Sequence, residues 1–442
     1  MSRLKLYSSK LFALEDFEDS DVAILPDEQQ AKNMAEVQEN LNMIETASDT
    51  MNTVIEDSHL TENIAEIVED AAEAGEGVSE TAVTLIQEAV ESIYRRHGMP
   101  KRYYPKIPSL EAYGGNRIEA AKAIHRQLKV SIEDGFIDTI KSIWEKICNF
   151  FSELWDKLTG SSSSDADKSN ELQKRIKKVM DEKKPVPSEY IKGNVDKDEW
   201  FKKIGTWLEE TSDTAKDFDA WIKEVVDNFK EVIKNKDTIE QDLENQIGEL
   251  KKKFEDVDDK FAKVIVEKFK QLAAEGDGLD INDILDKEGK LDKEKFKEFI
   301  NDSQKQFFLI PVGDELEEDE KSDVNKSGVS TFPNKTEWQD LHDLAGKINM
   351  SAKECKDTSG LVKKAFEDKE LETYINGVLD NTKGKDDKAT KNLKSNITLN
   401  INRIKEKSQL SANIIASKAS LHKKILDVME KVVKKAEETP KK

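Results

Sequence analysis

Between Ile137 and Leu158 the apolar residues recur in alternating steps of three and four without a miss: Ile137, Ile140, Trp144, Ile147, Phe151, Leu154 and Leu158. Only an α-helix gathers such a spacing onto one face, and Phe136, Ile143 and Phe150 widen that face. A stripe this apolar is a buried helix face or a coiled-coil seam. The rest of the chain has few means of breaking helices. It holds 19 Gly and 9 Pro in 442 residues, about half the usual share, and 36% of it is charged. Many Lys and Glu with few β-branched runs favour helix over sheet. The expected fold is all-α, with long amphipathic helices forming hairpins or bundles, coiled-coil-like segments and disordered linkers.

The pattern divides the chain. In the acidic N-terminal part Met34, Val37, Leu41, Ile44, Met51 and Ile55 keep helical spacing, with Ser48 as one polar step. Leu60, Ile64, Ile67 and Ala71 continue it; "EAGEGVSE" breaks it, and Ser79 is placed to cap a further helix ending near "RRHGMP". This reads as a helical hairpin or three-helix unit. Residues 98–116 hold three prolines and three glycines and read as an extended, exposed connector. The aromatic helix occupies 134–158. "TGSSSSDADK" at 159–168 predicts a flexible linker. Helices are expected over 169–312, an acidic disordered loop over 313–335, and a helical region with a basic tail over 336–442.

Charge is laid out unevenly. Residues 11–90 carry 21 Asp and Glu against one basic residue, Lys32, while residues 381–442 are net +9. An acidic segment repels nucleic acid and a basic tail attracts it, so a weak contact of the tail with DNA is expected. Cys148 and Cys355 lie too far apart in sequence to suggest a disulfide framework or a metal spacing. The polar face of the aromatic helix is not notably basic and no apolar run is long enough to span a bilayer, so no membrane contact is expected.

Chemical motifs are sparse. His59, His97, His125, His342 and His422 form no metal-binding spacing, and no glycine-rich phosphate loop follows a strand. "ILDKEGKLDKEKF" resembles a calcium loop, but its first and twelfth positions are Ile284 and Lys295, where carboxylates are required. A turn capping a helix is the expectation there. No cofactor, no metal and no catalytic residue is assigned.

One stretch carries a resemblance. "ESIYRRHGMP", "IPSLEAYGG" and "SIEDGF" opening an aromatic helix, behind an acidic region starting with "ALED", resemble the internal head proteins of large tailed bacteriophages over roughly the first 175 residues. The resemblance implies a structural virion protein that enters the prohead with an N-terminal propeptide. A phage prohead protease would cut it after a small residue, any residue and Glu. The narrower form, Ser or Ala, then Leu or Ile, then Glu, occurs at Ala13-Leu14-Glu15, Ser109-Leu110-Glu111 and Ser131-Ile132-Glu133. The preferred site is Ser131, Ile132, Glu133, Asp134, which would start the mature chain at an acidic helix N-terminus. The second is Ser109, Leu110, Glu111, Ala112, inside the connector, where a protease finds extended substrate.

Removing residues 1–133 would take away a net −12 and leave −9. The expected partners are the prohead protease and other capsid or core proteins; the expected location is the phage head interior, with host cytoplasm during assembly. Two fates stay open, lining an inner structure or travelling into the host with the genome. The alternative reading is an interaction or effector protein binding a host target through residues 169–442.

Overall fold

The computed structural model describes residues 28–187, 196–234, 292–305, 309–310, 330–367 and 388–439, with single positions between them. Its architecture is all-α. In order the helices are α1 (Glu28–Glu73), α2 (Glu80–Arg96), α3 (Arg117–Ser131), α4 (Ile137–Asp181), α5 (Lys197–Lys234), α6 (Lys293–Lys305), α7 (Trp338–Glu367) and α8 (Lys388–Glu438). The strands Leu309–Ile310 (β1) and Ser330–Thr331 (β2) pair in parallel over two residues each. The acidic loop over 313–335 and the apolar pattern from Ile239 to Leu272 lie largely outside the described residues.

Local chemistry sets the helix ends. After α1, Gly75 and Gly77 take positive φ, and the amides of Glu76 and Gly77 return to the Ala71 carbonyl at 3.1 and 2.8 Å. Only glycine fits at 77, since a Cβ there would lie 2.4 Å from the Arg117 backbone. Ser79 caps α2 by accepting from the Ala82 amide, and Arg95 and Arg96 sit in its last turn against the helix dipole. Asn116 caps α3 through the amides of Ile118 and Glu119. Asp292 caps α6 by accepting from the Lys295 amide at 3.2 Å, so the glycine-containing "KEGKLDKEKF" run ends in a helix cap.

Helix α4 is the spine. It packs on α1 and runs beside α7 and α8, while α3 also packs on α1; α5 packs on α7 and α8, and α6 on α8. Residues 41–131 and the described parts of 169–442 contribute to one hydrophobic core. Helix α8 is the most enclosed, with residues 408–419 buried on every side.

Several boundaries differ from the sequence expectation. The run 34–71 is one helix, so the N-terminal unit consists of two helices, α1 and α2, rather than three, and the inner face of α1 turns through Met51, Val54, Ala65, Val68 and Ala72, leaving Leu60 and Ile67 at 49% and 68% exposed. No linker occupies 159–168: α4 passes straight through it, and the 158/159 and 168/169 boundaries fall in mid-helix. The physical reason is tertiary. Ser162, Asp165 and Ala166 are buried, Asn349 of α7 donates to the Ala166 carbonyl at 2.8 Å, and Ser169 donates to the Ala345 carbonyl. Small side chains let the α4 and α7 backbones approach closely enough for side chains to reach across to carbonyls. The modest helix penalty of Ser and Asp is outweighed by that packing. The serine run is therefore a contact face.

The aromatic helix also has no free start at Asp134. α3 continues into α4 through a π turn, Ile132–Phe136. The basic tail lies in α8, as the expected helical region over 336–442 implies. Lys418 is fully buried in α8, and Lys168 and Arg175 of α4 pair with Asp427 (2.6 Å) and Glu437 (2.8 Å) of the same helix.

Candidate functional site

The two candidate cleavage segments lie in different environments. Ser131 is buried at the end of α3. Its Oγ donates to the Tyr103 carbonyl, and with that proton committed it accepts from the Tyr94 hydroxyl at 2.6 Å. Tyr94 is fully buried, and burial pushes its phenol well above the ordinary range. Its ring meets Phe136 edge-on at 5.2 Å and Tyr104 at 5.5 Å. Gly135 packs closely here, since a Cβ would come to 3.2 Å from Tyr94 and Tyr103. Ile132 is 4% exposed, and Glu133 and Asp134 lie within the π turn. Residues 99–104 thus wrap over the junction, with Tyr103 donating to Asp138 at 2.9 Å.

The second segment is open. Ser109, Glu111 and Ala112 are exposed, with Leu110 partly buried against the core. Residues Leu110–Tyr113 form one 3-10 turn after an extended Ser109, closed by Gly114 in the left-handed region at φ 59°. Three backbone hydrogen bonds hold the turn, from Ala112 to Ser109, Gly114 to Glu111 and Gly115 to Leu110, at 3.0, 3.0 and 3.2 Å. Opening it costs those local bonds and the partial packing of Leu110 and Tyr113 on the core, whereas opening the junction breaks a helix and unpacks the fully buried Tyr94 and Phe136. Of the looser matches, Ala74-Gly75-Glu76 is exposed at the end of α1, and Ser169-Asn170-Glu171 is helical. Ala13-Leu14-Glu15 lies outside the described residues.

A third constellation escaped the sequence. At the centre of α4, α5, α7 and α8, His422 Nδ1 stands 3.7 Å from Asp165 Oδ2 and Nε2 lies 3.0 Å from Ser351 Oγ. Lys418, one turn away, donates to the Leu208 carbonyl at 3.0 Å and to Ser212. The signal was the step pattern itself. Ile404, Ser408, Ser411, Ile415, Lys418, His422, Ile425, Met429, Val432 and Ala436 keep alternating four and three spacing, and all are buried. Asp165 holds the matching position on α4 between Ser162 and Ser169. Polar side chains in the seam hid its continuity.

Acid, imidazole and hydroxyl follow the order of a hydrolase triad, but the surroundings are those of a packing network. The acid–imidazole distance is beyond hydrogen bonding. Ser351 is 4% exposed in mid-helix, where the backbone amides are spent on the helix and none is free for an oxyanion. Burial lowers the pKa values of His422 and Lys418, with Asp165 pulling His422 partly back, and burial raises that of the Cys355 thiol. These shifts predict an acid-labile core. Above the unfolded pKa of a histidine, about 6.5, both states are neutral and His422 contributes nothing. As pH falls below it, the unfolded chain takes a proton that the folded chain resists, and stability drops. In urea titrations, H422Q is expected to flatten the acid limb by up to about 1.4 kcal/mol per pH unit. Equal limbs would refute the assignment.

Among the described residues no three His, Cys, Asp or Glu side chains come together as metal ligands would, and no helix is long and apolar enough to cross a membrane. Polar groups here join helix to helix, and the accessible feature is a peptide turn. The class so defined is a helical structural protein. Residues 35–430 match the phiKZ-like phage internal head proteins, and the chain belongs to that family. No curated protein and no solved structure matches it. Membership gives it a structural role inside the virion head, among other capsid components.

Proposed function

We propose that this internal head protein enters the prohead as a precursor and is matured by the phage prohead protease at the Glu111–Ala112 bond. The observation that carries the proposal is the contrast in exposure: Ser109, Glu111 and Ala112 lie on the surface, while Ser131 and Ile132 are buried in a continuous helical run. Proteases bind extended substrate, and the Pro/Gly connector reaches that shape by opening one turn. The cut breaks the covalent link between the acidic segment, residues 28–111, and the helices that follow it. At the other end Lys431, Lys434 and Lys435 are exposed near the C-terminus of α8 and offer packaged DNA a weak contact.

The test is N-terminal labelling of protein from purified particles followed by mass spectrometry. Peptides starting at Ala112 and peptides ending at Glu111 are expected. A start at Asp134 would move the cut to the buried junction and overturn the choice of bond. Particles carrying only the uncut chain would overturn maturation itself.

A further inference from the structure

We infer that cutting at Glu111–Ala112 nicks the protein without releasing the acidic segment, because a groove on α3, α4 and α8 keeps holding α1 and α2 as a separate chain. The inference rests on the proposed cut site but concerns what the fold does afterwards. The cut bond lies between α2 and α3, so every contact of α1 with α3, α4 and α8 crosses it, and none depends on the severed peptide.

Those contacts are extensive. Leu41, Ile44, Met51, Val54, Ala65 and Val68 of α1 are all at most 6% exposed. Polar hooks fix the register. His125 of α3 donates through Nδ1 to the Ala65 carbonyl at 3.0 Å, while Ser48 donates to Asn402 of α8 and Asn402 donates to Asn52, both at 3.0 Å. α2 is tied to α1 by Asp57, which accepts from Arg96 at 3.0 Å and pairs with His97 at 2.7 Å. α2 also reaches across the cut, through Tyr94 to Ser131 and Phe136.

Charge acts in the same direction. Residues 28–111 carry 17 acidic and 6 basic residues, net −11, whereas α3 carries Arg117, Lys122, Arg126 and Lys129 against Glu119. The groove therefore fits an acidic amphipathic helix, and the one it is built around is the chain's own α1. Detachment requires water to enter an apolar face, which peptide hydrolysis does not bring about.

The experiment uses the full-length protein with the recognition sequence of an unrelated site-specific protease inserted between Gly114 and Gly115. Both glycines are exposed, with nothing within 4 Å of a Cβ. After complete cutting in native buffer, native mass spectrometry and size exclusion are expected to give one species holding both pieces, separable only in denaturant. Two separate species at micromolar concentration would overturn the inference. Because the cut is placed by a foreign enzyme, this result is independent of where the phage protease acts. In the same insert, V54D is expected to weaken retention roughly tenfold or more, since Val54 is fully buried. Undiminished retention in a helical variant would overturn the role given to the α1 face, and if the variant does not fold the unsubstituted insert decides alone.

Discussion

S164P lowers the stability of the helical body by about 3 kcal/mol or more, read as a shift of the urea midpoint for helix loss. Ser164 is exposed, so its side chain contributes little, and the effect isolates the backbone. Proline there removes an amide from the helix and pushes its ring against the carbonyl one turn back. In a flexible serine linker the same change would be neutral or slightly stabilising, through lost freedom of the unfolded chain. G160A gives the opposite sign. A Cβ at 160 meets nothing within 4 Å, so alanine should add about 0.5–1 kcal/mol in a helix interior. Two unchanged midpoints would restore the linker. The pair is decisive because residues 159–168 lie in mid-helix and themselves bring Ser162 and Asp165 into the core.

W155A costs about 3–5 kcal/mol, while W155F costs much less. Trp155 is fully buried in α4, so truncation to alanine opens a cavity that rigid helices close only in part. Phenylalanine keeps most of the ring volume. It also removes the indole N–H, which is buried with no hydrogen-bond partner among the described residues. Thermal unfolding of the three proteins side by side checks the order. Similar losses for both variants would mean that Trp155 contributes by a bond rather than by volume.

The aromatic stripe of α4 from Ile137 to Leu158 was fully legible, as were Trp200, Ile204, Trp207 and Leu208 of α5, the Ser79 cap and a helix start just before Phe296. Each depends on neighbours within one or two turns. The inner face of α1 was legible only in part, because Leu60 and Ile67 match the step pattern as well as Ala65 and Val68 do, and only the approach of α3 and α4 selects between them. The family resemblance over the first 175 residues extends in fact to 35–430. The candidate cleavage tripeptides were legible as letters, but not their burial, on which the proposed preference for Glu111 over Glu133 rests. Nothing local to Ser131 tells that Tyr94 and Tyr103 close over it.

Sequence by itself determined that this chain is helical and where its driest faces run, since apolar periodicity and the scarcity of glycine and proline act on each segment alone. Tertiary structure alone decided that Ser162, Asp165, Lys418 and His422 are interior residues and that Ser109, Glu111 and Ala112, not Ser131 and Ile132, meet the solvent. A polar side chain is tolerated inside only where another helix brings it a partner, and an exposed turn is exposed only because nothing distant covers it. Both are facts about neighbours far away in the chain.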